Sequence, residues 1–218
     1  MERYFILDNI NTWYDWRLIL TAKDVTPPEP KTNYVEIDGM DGSLDLSESL
    51  TGEITYHDRT VSASFWTSDG DYKKRSSLLK DVISALHGKK IKIIEPDDPD
   101  HYFYGRVKVK DIVNKIPYAE FSIEAVCEPW RYSVNDTVRK IEINNEMGSN
   151  LIINNTGVKT LCPLITVTGS VNIIYNGVKT SLTDGSYKIS DIRLYQGITV
   201  IGVSGNGSAT FTYKEADL

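Results

Sequence analysis

The sequence predicts a mainly β protein of two domains. An N-terminal β-sandwich or barrel-like domain over residues 1–132 carries one α-helix near 71–87, and an all-β sandwich follows over 138–218. Three observations carry this prediction. Apolar residues alternate at period two through the first half, one stretch there switches to helical period, and beyond residue 138 glycines recur every 8 to 12 residues. Successive side chains of a strand point to opposite faces, so period-two alternation marks a strand with one buried face.

In chain order, the polar stretch around Asp38-Gly39-Met40-Asp41-Gly42-Ser43 reads as a glycine-rich turn joining two strands. Ile54 and Tyr56 alternate with Glu53, Thr55 and His57, which predicts a half-buried strand over 52–57. A turn at His57-Asp58 would then make it a hairpin with Val61-Ala63-Phe65. Leu78, Leu79, Val82, Ile83 and Leu86 form an apolar stripe at helical spacing. Asp69 or Asp71 can cap the start of that helix, and Gly88 stands where a C′ glycine belongs. His87, Lys89 and Lys90 are expected to complement the dipole at its end. Ile91-Ile93, the Val/Lys alternation within 102–110, and Phe121-Ile123-Ala125-Cys127 complete the strands of the first half.

After the break at Glu128-Pro129-Trp130-Arg131, short strands are expected at Leu151–Ile153, Leu164–Val167, Val171–Tyr175, Ile198–Val203 and Ala209–Tyr213. Turn signals spaced every 8 to 12 residues argue a sandwich. Asn176-Gly177 is the strongest hairpin signal in the chain.

The 218 residues carry 24 Lys+Arg against 30 Asp+Glu, a formal charge of −6. An electrostatic nucleic-acid binder should be basic, so specific nucleic-acid binding is not expected. All of the excess lies in residues 1–132, because residues 133–218 hold seven acids and seven bases. Between Glu36 and Asp58 there are seven acids and no Lys or Arg, whereas Lys73-Lys74-Arg75 and Lys89-Lys90 are basic clusters. One reading is a solvated surface. The sharper one is a pair of complementary faces, drawn from Glu36, Asp38, Asp41, Asp45, Glu48, Arg59, Lys73, Lys74, Arg75, Lys89 and Lys90, that meet head to tail between subunits.

The two cysteines, Cys127 and Cys162, read as reduced small hydrophobes, and the three histidines have no zinc spacing. Met1-Glu2-Arg3-Tyr4-Phe5 lacks the apolar run of a signal peptide, and no stretch has the length of an apolar membrane span. The three Asn-x-Ser/Thr matches, at Asn135, Asn154 and Asn206, are therefore taken as chance. Asp38, Asp41 and Asp45 depart from calcium-loop spacing, and Asp97-Asp98-Pro99-Asp100-His101 reads as turn chemistry before it reads as a cation site. Gly202-Val203-Ser204-Gly205 nears a nucleophile elbow but has no closing glycine and no downstream histidine. Gly205-Asn206-Gly207 lacks the rest of a dinucleotide loop. No catalytic constellation, metal site or cofactor is expected. Trp13-Tyr14-Asp15-Trp16 reads either as core and edge packing or as an exposed platform for a sugar or partner.

The run Ile37-Asp38-Gly39-Met40-Asp41-Gly42-Ser43-Leu44-Asp45-Leu46, then Tyr56-His57-Asp58-Arg59 and Phe65, resembles the N-terminal signature of the distal tail proteins of long-tailed phages. The likeness continues through Leu86-His87-Gly88-Lys89, Asp97-Asp98 and Tyr104-Gly105-Arg106 to Pro129. In the second half, Asn155-Thr156-Gly157, Pro163-Leu164-Ile165, Gly169-Ser170, Asn176-Gly177, Asp184-Gly185-Ser186-Tyr187 and Gly197 are similar to that family's galectin-like β-sandwich. The resemblance implies a structural, non-enzymatic protein of the virion tail tip, made in the host cytoplasm. It implies a homohexameric ring around a DNA channel that joins the tail tube to tape-measure and tail-tip or baseplate proteins. A carbohydrate-binding adhesion module, using the sandwich and Trp13 or Trp16, is the second reading, and a cell-wall hydrolase is the third.

Overall fold

The computed structural model describes residues 4–218; Met1–Arg3, the start of the stretch inspected for a leader, and the side chains of 145–147 lie outside the described residues. No helix among them is long and apolar enough to cross a membrane. The chain divides into two compact units, one ending at Arg131 and the other comprising Tyr132–Asp217.

The first unit contains β1 (Ile6–Leu7), β2 (Ile10–Asn11), β3 (Ile19–Val25), β4 (Tyr34–Glu36), β5 (Ser43–Asp45), β6 (Arg59–Thr67), α1 (Tyr72–Leu86), β7 (Lys90–Glu95), β8 (Asp98–Asn114) and β9 (Ala119–Cys127). Seven strands form an antiparallel sheet in the order β2-β1-β7-β8-β9-β6-β3. The alternation seen in the sequence is the burial pattern: Val61, Ala63 and Phe65 on β6 and Phe121, Ile123, Ala125 and Cys127 on β9 all enter one core. The sheet curls around that core. Phe5, just ahead of β1, meets Phe65 of β6 edge to face at 6.2 Å, and Lys23 on β3 is ion-paired to Glu95 on β7 and, at 2.7 Å, to Asp97.

The helix closes the core with Leu79, Val82 and Leu86. Asp71 caps it by accepting from the Lys74 amide at 2.8 Å, and Gly88 follows the last turn at φ +78°. The expected dipole role of His87, Lys89 and Lys90 is not observed, because the last turn of α1 contains no basic residue. Nδ1 of His87 instead accepts from the Val109 amide at 3.1 Å, which ties the helix end to β8.

The strand expected over 52–57 does not form. Tyr56 makes a single bridge, and its partner is Pro30. The bridge consists of two backbone bonds, from the Lys31 N–H to the Thr55 carbonyl and from the His57 N–H to the Glu29 carbonyl, and no ladder extends from it. Those two bonds hold the segments side by side as a neck.

Strand β10 (Arg131–Ser133) leads into β11 (Thr137–Asn155), β12 (Leu164–Tyr175), β13 (Val178–Leu182), β14 (Gly185–Lys188), β15 (Gly197–Tyr213) and β16 (Ala216–Asp217). Five of these form an antiparallel sheet in the order β11-β15-β12, with β13 and β14 sharing the far side of β12. The separate strands expected at 164–167 and 171–175 are one strand, as are those at 198–203 and 209–213. Their glycines mark a bend rather than turns. Ile165, Val167, Val171 and Ile173 of β12 and Ile201, Val203, Ala209 and Phe211 of β15 all bury the same face into one cluster. A single sheet can do this only by folding across its strands, so it becomes two halves of a β-sandwich. At the fold line Gly207 has φ +152°, and an added Cβ would lie well inside contact distance of the Thr168 carbonyl oxygen. Asn176 and Gly177, at φ 48° and 80°, form the two-residue hairpin expected between β12 and β13.

Two outcomes follow. Gly207→Ala should destabilise the second unit by about 1–3 kcal/mol or more, since backbone strain and overlap add, whereas Gly177→Ala, facing open space, should cost about 1 kcal/mol; thermal melts of the two variants check the ranking. Partial burial lowers the pKa of Lys23, but its bonds to Asp97 and Glu95 outweigh this and leave it raised. Its stabilising contribution is therefore complete below the unfolded value of about 10.4 and lost as pH rises through the folded value. In alkaline titrations of folding, Lys23→Met should remove that component and leave neutral-to-alkaline stability flatter.

Candidate assembly surface

Residues 31–55 leave the first unit as an arm whose only strands are the short hairpin β4–β5. Val35 pairs with Leu44 and Tyr34 with Asp45, and every residue of both strands is exposed. None of them belongs to the core of the unit. A two-stranded ribbon is marginal in water, and this one is held mainly at its base. Ser47 donates from its amide to Asp45 Oδ1 at 2.9 Å, and its hydroxyl accepts from the Asn33 amide at 2.8 Å. The Ser47 hydroxyl and then its amide hold the Asp45 carboxyl below the usual carboxylate range. Beyond this base the arm carries Tyr34, Val35, Ile37, Met40, Leu44 and Leu50 in solvent, with Leu50 98% exposed.

The eleven residues expected at a subunit interface separate into three groups. Arg59 and Arg75 are buried. Arg59 donates to the carbonyl oxygens of Thr26 and Pro129 and stacks 4.8 Å over Phe103; burial, then the charge of Arg131, pull its pKa down. Arg75 donates to Gly70 and Lys115 carbonyls and anchors the helix start. These two hold the first unit together and present no face to a partner. Asp45 and Lys90 are engaged at the surface, the first within the hairpin base and the second with Glu128 at 2.7 Å above the Tyr104 ring.

The remaining seven are exposed and make no ion pair among the described residues: Glu36, Asp38, Asp41 and Glu48 on the arm, and Lys73, Lys74 and Lys89 elsewhere. The ion pairs within the unit bring none of these acids to any of these bases. Lys73 and Lys74 occupy the first turn of α1, which contains no acid. Cations there oppose the helix dipole, by about 0.3–1 kcal/mol each, so local helix stability does not account for them.

Trp16 packs against the core, Trp13 is half-buried beside Arg17, and Tyr14 is exposed, so packing takes up most of the N-terminal aromatic run. Both cysteines are free thiols. Burial pushes the Cys127 thiol up to about 12, which keeps it a small hydrophobe at neutral pH. Among the described residues no group of three His, Cys, Asp or Glu is placed to hold a metal ion.

A family profile, the phage tail protein RIFT-related domain, matches residues 17–127, just over half of the chain. The chain belongs to that family. The crystal structure of SPP1 Dit (gp 19.1), described as a paradigm of the hub adsorption apparatus in phages that infect Gram-positive hosts, superposes with a TM-score of 0.70. It shares 15% sequence identity with this chain and covers 97% of it, and 98% of Dit is covered in turn. The fold is thus that of Dit from end to end. A chain of the phage p2 baseplate in its activated conformation aligns at a TM-score of 0.47 and 9% identity over 98% of this chain and 97% of its own. No curated protein sequence matches.

Because the hairpin buries none of the core, the double substitution Val35→Ser/Leu44→Ser should leave the unfolding midpoint of the purified, dilute protein within about 0.5 kcal/mol of the parent. Urea unfolding followed by fluorescence reads this directly.

Proposed function

We propose that this phage tail protein is the distal hub of a long-tailed phage: a homohexameric ring at the tail tip, around a channel for DNA, that joins the tail tube to tape-measure and tail-tip or baseplate proteins. The observation that carries the reading is the fold of a hub protein along the whole chain in a member of a phage tail family. The arm supports it physically. It exposes apolar side chains that its own unit does not cover, next to acids without partners. Lys73, Lys74 and Lys89 are free cations on the same unit, away from the acids in every ion pair formed. A head-to-tail contact, arm of one subunit against basic surface of the next, uses both features and closes into a ring when the rotation is right. The excess negative charge of the first half suits a channel wall past which DNA slides, because cations there would hold its phosphates.

Light scattering at rising salt tests the proposal. A hexameric mass at low salt that falls as salt rises is expected, since exposed charges are screened within about 10 Å at 0.1 M. Asp38→Lys/Asp41→Lys should weaken the ring, and Lys73→Glu/Lys74→Glu on the same chain should restore it. A monomer at every concentration, alone and with the tail tube protein, overturns the ring. A hexamer indifferent to salt and to charge reversal overturns the charge-paired contact and leaves the ring standing.

A further inference from the structure

The outward face of the sheet at β7, β8 and β9 runs against the charge of its unit. Residues 1–132 hold more acids than bases. Yet Lys90 and Lys92 on β7 and Arg106, Lys108 and Lys110 on β8 alternate with the core residues Ile91, Ile93, Val107 and Val109, so all five cations point outward. Lys90 stands directly opposite Arg106 in the ladder, and like charges so placed are destabilising. Two carboxylates answer them: Glu128 bonds Lys90 at 2.7 Å and Glu124 bonds Lys110 at 2.5 Å. Asp8 is engaged by the Lys92 amide at 2.9 Å. Lys92, Arg106 and Lys108 are left without an ion pair among the described residues. Local stability therefore does not account for them.

This face also has an apolar centre. Val126 on β9 is 54% exposed, and its cross-strand neighbour is Arg106. One rung further, Tyr104 lies opposite Lys92, with the Lys90 ammonium 4.6 Å from the centre of its ring. An apolar centre with a charged rim is the anatomy of a protein interface. The arm has the matching make-up. Val35 and Leu44 are directly opposite in its hairpin, so both lie on one face of it. Glu36, Asp38 and Asp41 accompany them toward the tip, and no Lys or Arg occurs from Glu36 to Asp58. The ion pairs within the unit join none of these acids to any of the five cations.

We propose that this face is the seat of the arm of a second copy. Val35 and Leu44 of one subunit pack over Val126 and Tyr104 of the next, and Glu36, Asp38 and Asp41 reach Lys92, Arg106 and Lys108. The seat rests on the ring proposed above and fixes where on the next subunit the hairpin lies. Lys89, the residue before β7, brings a further unpaired cation to the border of the same face. A two-stranded ribbon is marginal in water because it has nothing to bury its apolar side chains against. Laid on this sheet, the hairpin gains the cover that its own unit does not provide, and the opposed Lys90 and Arg106 gain carboxylates.

Carbodiimide cross-linking of an equal mixture of unlabelled and nitrogen-15-labelled full-length protein tests the seat, because it joins a lysine only to an Asp or Glu already in contact. Peptides linking Lys92 or Lys108 to Glu36, Asp38 or Asp41 are expected, and mixed-isotope pairs show that the link crosses subunits. Val126→Glu sets a carboxylate against the acids of the arm, so it should raise the concentration at half-assembly at least about tenfold. Because Val126 is exposed, the thermal melt of the dilute variant should match the parent. Light scattering reads the ring on the same samples. No hexamer, alone or with the tail tube protein, overturns the ring and the seat together. A hexamer whose arm acids link to neither Lys92 nor Lys108, whose links never mix isotopes, or that assembles equally well with Val126→Glu overturns the seat and leaves the ring standing.

Discussion

The structure depends on one constraint: each unit is built on one main antiparallel sheet with one apolar face, and the described residues form only one helix to cover it. A sheet that cannot be covered by another layer has to cover itself. The two units meet that requirement differently. In the first, the sheet curls until β3 reaches β7 through Lys23 and Glu95, and α1 lays Leu79, Val82 and Leu86 over the opening. In the second no helix is present among the described residues, and the long strands β11, β12 and β15 fold across themselves. Backbones approach too closely there for any Cβ, which is why glycine stands at 169, 205 and 207.

Self-covering sheets have a consequence for function. Once the core-facing residues of the strands have a place inside, the apolar side chains left in solvent gather most densely, in the first unit, on the arm. Leu50, Met40 and Tyr34 have no interior to enter because the hairpin is two strands wide. The free cations at the start of α1 are conspicuous in the same way, placed where the helix dipole disfavours them. Neither feature helps the isolated chain, and the proposed contact with a second copy would account for both.

Much of this was legible in the sequence because burial alternates with the strand period. The strands around Val61-Ala63-Phe65 and Phe121-Ile123-Ala125-Cys127, the stripe of α1 with its Asp71 cap, and the Asn176-Gly177 hairpin all follow local rules that tertiary structure did not override. Three things were not legible. Residues 52–57 have the right alternation, but they meet residues 29–31 at a single bridge and no ladder, a fact of pairing rather than of pattern. Glycine within 164–175 and 197–213 signals a turn by composition, whereas here it permits a bend inside a continuous strand. Arg59 and Arg75 look like surface charges until the carbonyl oxygens that receive them are known.

The two units also divide the chemistry of the surface between them. All net charge belongs to the first half and none to residues 133–218. Charge acts at a distance, steers one subunit toward another and is weakened by salt. Uncharged hydroxyls and amides act only at contact, and their bonds survive any ionic strength. A tail component assembled in one medium and exposed to another needs both kinds: contacts that find their register during assembly, and contacts that still discriminate in whatever medium the virion meets.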